Sequence, residues 1–302
     1  MQRVREQVGI LSNTHGYTGK GVTVAVLDTG VGHHKDLSGR VLSFRDFVGN
    51  RKRMYDDNGH GTHVCGIICG NGRLSDGRFC GMAPEARLVV GKVLDKNGDG
   101  NADVMIEALK WIVQQHRQYQ IRILNISVGI GTLDNVKKEN ELTQLMEAAW
   151  DSGIIVICAA GNKGPQNASI SSVGKSNKVI TVGCHDGEFC KDNPRRCESY
   201  SGRGDAFAIM KKPDIVAPGT DIISCNVEPV KMGRTHYAPY VAKSGTSMAT
   251  PIISGAAALA LQCYPDMNNE EFKQKLTLTA TDLGEPWNKQ GWGMLHVARL
   301  LE

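Results

Sequence analysis

The chain has 302 residues, 41% hydrophobic and 22% charged, with 35 glycines, nine cysteines and a formal net charge of +4. A chain of this length buries roughly 75% of the surface its unfolded state exposes, which excludes small scaffolds that depend on disulfide or metal staples. Its 35 Lys+Arg and 31 Asp+Glu are spread along the sequence, which argues against nucleic acid as a partner, and no 18-residue apolar stretch offers a membrane span.

From the amino terminus, residues 1–7 carry positive charges with no apolar run behind them. No signal peptide or propeptide is read there, so a cytoplasmic location is expected, or secretion if the chain has been trimmed. Residues 22–27, 88–90, 121–128, 154–157 and 179–182 are continuous apolar runs rich in β-branched residues. They predict strands buried on both faces, hence parallel pairing. Residues 102–117 and 136–150 place their apolar residues at helical spacing and predict crossover helices. Arg51, Lys52 and Arg53 form the densest basic run, read as a solvated loop. Residues 184–212 are the least regular and predict a surface excursion. Residues 246–263 are apolar nearly all round and predict a buried helix, and residues 270–280 a surface helix. This alternation predicts a single doubly wound α/β domain over residues 1–302, its core at about 17–300, with a mainly parallel sheet and helices on both faces.

Three segments place a reactive residue beside glycine at the end of a regular element. Asp28, in Leu-Asp-Thr-Gly, closes the first buried strand, and ligands bind at that edge of an open α/β sheet. His60, in Asn-Gly-His-Gly-Thr-His, enters an apolar helix; no carboxylate sits between His60 and His63, so the zinc pattern His-Glu-x-x-His is not matched. Ser247, in Ser-Gly-Thr-Ser-Met-Ala, opens the buried helix, where backbone N–H groups stabilise developing negative charge. Taken singly, each has an ordinary reading as a turn cap, a buried histidine or a helix cap.

The three together, in the order Asp, His, Ser, resemble the subtilisin-like serine proteases, or subtilases. The likeness extends to Gly81-Met-Ala-Pro84, Asn125-Ile-Ser-Val-Gly129, Ala159-Ala-Gly-Asn162 and the segment Lys212 to Gly219, and so covers nearly the whole chain. The resemblance, taken here as to the intracellular type, implies a serine endopeptidase working through an acyl-enzyme. Asp28, His60 and Ser247 form the implied triad, and Asn162 is the implied side-chain donor of the oxyanion hole. A protein or peptide substrate is implied to lie extended between residues 94–100 and 127–129, touching Gly98, Asp99, Gly100, Ser127, Val128, Gly129, Ala160 and Gly161. Asp56, Asp57 and Asp99 are expected to favour basic residues upstream of the cut. A dedicated leader- or precursor-processing subtilase and an inactive peptide-binding scaffold are the alternatives. A dinucleotide-binding oxidoreductase is excluded, since no Gly-x-Gly-x-x-Gly follows the first strand.

No cofactor is expected for catalysis. Structural calcium is a possible addition: Asp36 matches a family ligand, but its companion loop at residues 71–79 does not align. Residues 95–106 resemble an EF-hand loop yet end in Ile106 where a bidentate Glu is needed. The cysteines are odd in number and irregularly spaced, which fits free thiols in a reducing compartment. Cys190 to Cys197 is the disulfide expected on export, and Cys184, His185, Cys190 and Cys197 lack the Cys-x-x-Cys pair of a zinc site.

Overall fold

The computed structural model describes residues 1–10, 16–128, 136–190, 193–227 and 238–302. Nine strands are placed: β1 (Thr23–Asp28), β2 (Val41–Asp46), β3 (Arg87–Lys92), β4 (Ile121–Ile126), β5 (Ile155–Ala159), β6 (Ile180–Cys184), β7 (Ile215–Ala217), β8 (Ile222–Cys225) and β9 (Tyr240–Lys243). The first seven form one parallel sheet in the order β2-β3-β1-β4-β5-β6-β7, and β8 and β9 pair antiparallel. The helices are α1 (Gln2–Gln7), α2 (His60–Cys69), α3 (Ala102–Tyr119), α4 (Val136–Asp151), α5 (Thr246–Cys263), α6 (Asn269–Leu278) and two single turns, α7 (Trp287–Gln290) and α8 (Val297–Leu300).

The apolar runs become central strands because both their faces are covered. β1 and β5 are buried at every position, with α3 and α4 packed on each other and on β1, β4 and β5, and α5 packed across β4 to β7. Helix α5 runs through the core, buried from Met248 to Leu261, and Ile252 is fully enclosed there. The chain leaves β1 towards β3 and β2 but leaves β4 towards β5, so the strand order reverses between β1 and β4. A crevice at the carboxyl ends of those strands follows from the topology. The doubly wound α/β fold read from the sequence is the fold observed.

Candidate active site

Asp28 ends β1 with no solvent exposure. Its Oδ1 accepts from His60 Nδ1 at 2.8 Å and from the Thr29 N–H at 2.7 Å. His60 is the first residue of α2, and the preceding Gly59 lies at φ 92°, in the left-handed region where a side chain is strained. Beneath this turn, Asp56 Oδ1 accepts from Thr29 Oγ1 and the N–H groups of Asn58 and Gly59, and its Oδ2 accepts from the N–H and Oγ1 of Thr62. One buried carboxylate thus fixes the end of β1 and the start of α2 together.

The His60 imidazole is 24% exposed. Burial works against its charged form, but the charge and hydrogen bond of Asp28 outweigh burial and raise its pKa above the ordinary 6.5, with Lys243 opposing. With Nδ1 committed to Asp28, Nε2 remains free to accept a proton. His63, one turn later, is the reverse case: it is fully buried, its Nε2 meets the carbonyls of Ile222 and Val241, and burial pushes its pKa down to about 3. It ties α2 to the β8–β9 pair as a neutral residue.

Ser247 is the second residue of α5, half-buried, with its N–H in the first turn, where a helix offers no acceptor. The loop ahead of it is fixed by Gly245, at φ 139°, whose N–H donates to the Gly219 carbonyl at 2.9 Å. Asn162 Oδ1 accepts from the N–H and Oγ1 of Thr246, at 3.1 and 3.0 Å. Because the Thr246 N–H can only donate, the amide oxygen must face it, which leaves the Asn162 NH₂ free to donate. Pro251 has no N–H to give the Ser247 carbonyl four residues back, and α2 packs against α5. Among the described residues no hydrogen bond joins Ser247 to His60; such bonds often tighten only when substrate is bound.

On the substrate side, the loop at residues 94–100 closes on itself: Asp95 Oδ1 accepts from the N–H groups of Asn97 and Asp99, and Asn58 Nδ2 donates to the Lys96 carbonyl. This oxygen caps a turn in the EF-hand-like segment. Gly98, Asp99 and Gly100 are exposed on the rim beside the His60 turn. Ser127 is buried, its Oγ held by Asn125 Nδ2, while Asn125 Oδ1 takes the Ser254 hydroxyl of α5; Val128 is also buried. Gly129 lies outside the described residues. Ala160 and Gly161 join β5 to Asn162; Ala160 is buried with its N–H given to Val182 and its carbonyl taken by Ser171, so it can serve only as a wall.

Two of the acids expected to draw basic residues already have partners within the chain. Asp56 is saturated as described, and Asp57 pairs with Lys92 Nζ at 2.7 Å. Lys92, almost wholly buried, also donates to the carbonyls of Thr29 and Leu94, and so clamps the β1 and β3 ends around Asp28. Sequence reading missed it, although a lysine closing an apolar strand was the available signal. Lys243, whose charge reaches His60, was missed as well.

Asp36 does not fit calcium. Its oxygens take the Leu74 N–H and the Tyr240 hydroxyl, and its neighbours are His34 and Cys225 rather than hard oxygen donors. Cys184 is bonded to Cys197, with Cα atoms 5.9 Å apart, which corrects both the free thiols expected at these positions and the Cys190 to Cys197 pairing expected on export. That bond removes two of the four zinc candidates; His185 lies 3.4 Å from Glu198. Cys65 is buried, and burial raises its pKa far above the thiol range, so it is no nucleophile.

A buried carboxylate on an imidazole, with a hydroxyl and an amide donor at a helix start on the same sheet edge, is equipment for acyl transfer. Residues 19–293 match the family model described as the subtilase family, peptidase S8. The chain is 42% identical over 277 residues to serine protease AprX of Bacillus subtilis (strain 168), covering 88% of this chain and 63% of that protein's length. It is 35% identical over 286 residues to subtilisin Savinase of Lederbergia lenta, covering 94% and 92%. The solved structure of sphericase superposes with a TM-score of 0.81 at 26% identity, covering 98% of this chain and 99% of that one. The chain belongs to the subtilase family, a family of serine endopeptidases.

Proposed function

We propose that the chain hydrolyses internal peptide bonds of extended polypeptides through an acyl-enzyme on Ser247. A serine hydroxyl is a weak nucleophile until a base takes its proton, and His60 Nε2 is that base. Asp28 holds the imidazole in the tautomer with Nδ1 protonated and stabilises the imidazolium as it forms. As Ser247 Oγ adds to the substrate carbonyl, charge gathers on the carbonyl oxygen, where Asn162 Nδ2–H and the Ser247 N–H donate to it. The C–N bond then breaks and His60 returns the proton to the leaving amine. Water, deprotonated by His60, next releases the acyl group and frees Ser247.

Base, nucleophile and oxyanion donors all come from the chain, so the scheme calls for no cofactor. Residues 94–100 on one side and Ser127 and Val128 on the other are the segments offered to the substrate strand, with Asp99 as the acid left on the rim. The observation that carries the reading is the 2.8 Å contact between the buried Asp28 carboxylate and His60 Nδ1. Turnover of a peptide by Ser247→Ala, His60→Ala and the double variant tests it. Each single change should cost about 10⁶ in kcat and the pair little more, the behaviour known for the relative subtilisin. Additive losses, or single variants that keep substantial turnover, would contradict it.

A further inference from the structure

We infer that a cationic cleft beside the catalytic centre docks an acidic segment of the polypeptide being cut. The cleft has a volume of about 950 Å³. His33, Lys35 and Arg73 are exposed around it, and Leu37, Met54 and Pro239 supply apolar wall. Among the described residues no carboxylate pairs with Lys35 or Arg73; Asp36, next in sequence to Lys35, is buried with both oxygens taken. The Arg51, Lys52, Arg53 run, which nothing in the catalytic scheme uses, is exposed and leads directly into Met54 of this wall.

The cleft is tied to the frame of the active site through Gly32 and Pro239. Gly32, four residues after Asp28, lines it, and its N–H donates to Thr62 Oγ1, which is held by the Asp56 that also fixes Gly59 ahead of His60. A Cβ built on either Gly32 or Gly59 would meet the same Val227 side chain. Pro239 lines the cleft and begins the segment that runs through β9 and Lys243 to Ser247. A polypeptide held for cleavage therefore has this cleft within reach of residues beyond the scissile bond. Cations with no carboxylate partner among the described residues, set beside an apolar wall, select carboxylates attached to a peptide.

The inference rests on the peptidase reading above, and the test separates the two. A core peptide that the enzyme cuts is extended at either end, through a flexible spacer, with a glutamate or a glutamine tract. At low salt the glutamate tract at one end should lower KM about tenfold with kcat unchanged, the effect of two or three surface pairs, and the gain should shrink as salt rises. Lys35→Glu with Arg73→Glu should abolish the gain, leave the unextended core peptide cut at the wild-type rate, and transfer the preference to a lysine tract. Fluorescence anisotropy of the same labelled peptides on Ser247→Ala makes the comparison without turnover. Equal affinities for both tracts, or a glutamate gain that survives the charge reversal, would overturn the inference. An oligonucleotide that binds through Lys35 and Arg73 while the glutamate tract gives no gain would overturn it as well. Loss of core-peptide turnover in the wild type would count against the peptidase reading instead.

Discussion

His60 and His63 stand nearly one helical turn apart on α2, and their surroundings push them in opposite directions. Asp28 raises the His60 pKa, and a general base must be neutral, so the acid limb of kcat/KM should have its midpoint above the ordinary 6.5. In Asp28→Asn the raising charge goes while burial stays. The midpoint should move down and kcat should fall by about 10⁴, the cost of the same change in a triad of unrelated fold; a pH profile of each enzyme checks both. His63 follows the other sign. Its folded pKa of about 3 lies below the unfolded value near 6.5, so between those values the unfolded chain binds the extra proton. The stability that neutral His63 represents is fully present above pH 6.5 and is lost as pH falls towards 3. Urea midpoints measured in the Ser247→Ala background, to prevent self-digestion, should drop through this window and drop less steeply in His63→Gln.

At the scale of elements, the site depends on how strand ends and helix starts are joined. All five bonds at Asp56 come from N–H or O–H donors, so Asp56→Asn sets an NH₂ against donors and leaves buried groups unpaired. It should cost about 2–4 kcal/mol in unfolding free energy and lower kcat, because the turn carrying His60 is released. Gly245→Ala places a Cβ 3.2 Å from Asn162 Nδ2 at φ 139°, which an L side chain rarely adopts. Its kcat should fall towards that of Asn162→Ala, itself down about 100- to 1,000-fold by the figure known for the corresponding donor in subtilisin, with KM little changed. The glycines and reactive residues of these joints were legible because their motifs are local. Lys92 and Asp56 were not, since their roles arise only when segments distant in sequence meet. Strand β2 was missed because five of its six residues are half-buried or exposed and break the apolar run, and β7 because three residues carry no period.

For the whole molecule, the reversal of strand order between β1 and β4 puts Asp28, the turn carrying His60 and the segment from Asn125 to Ser127 around one crevice, and α5 brings Ser247 to it from the core. The central strands and the buried helix were readable because burial on all sides leaves an unbroken apolar signature. The cysteine pairing was not, since connectivity depends on where β6 ends relative to a loop thirteen residues later. Catalysis as proposed requires an activated nucleophile at Ser247, which intact-mass labelling with a fluorophosphonate detects. One adduct is expected on the wild-type chain, none on Ser247→Ala, and strongly slowed labelling of His60→Ala. A folded wild-type chain that takes no adduct, or an adduct that persists in Ser247→Ala, would contradict it.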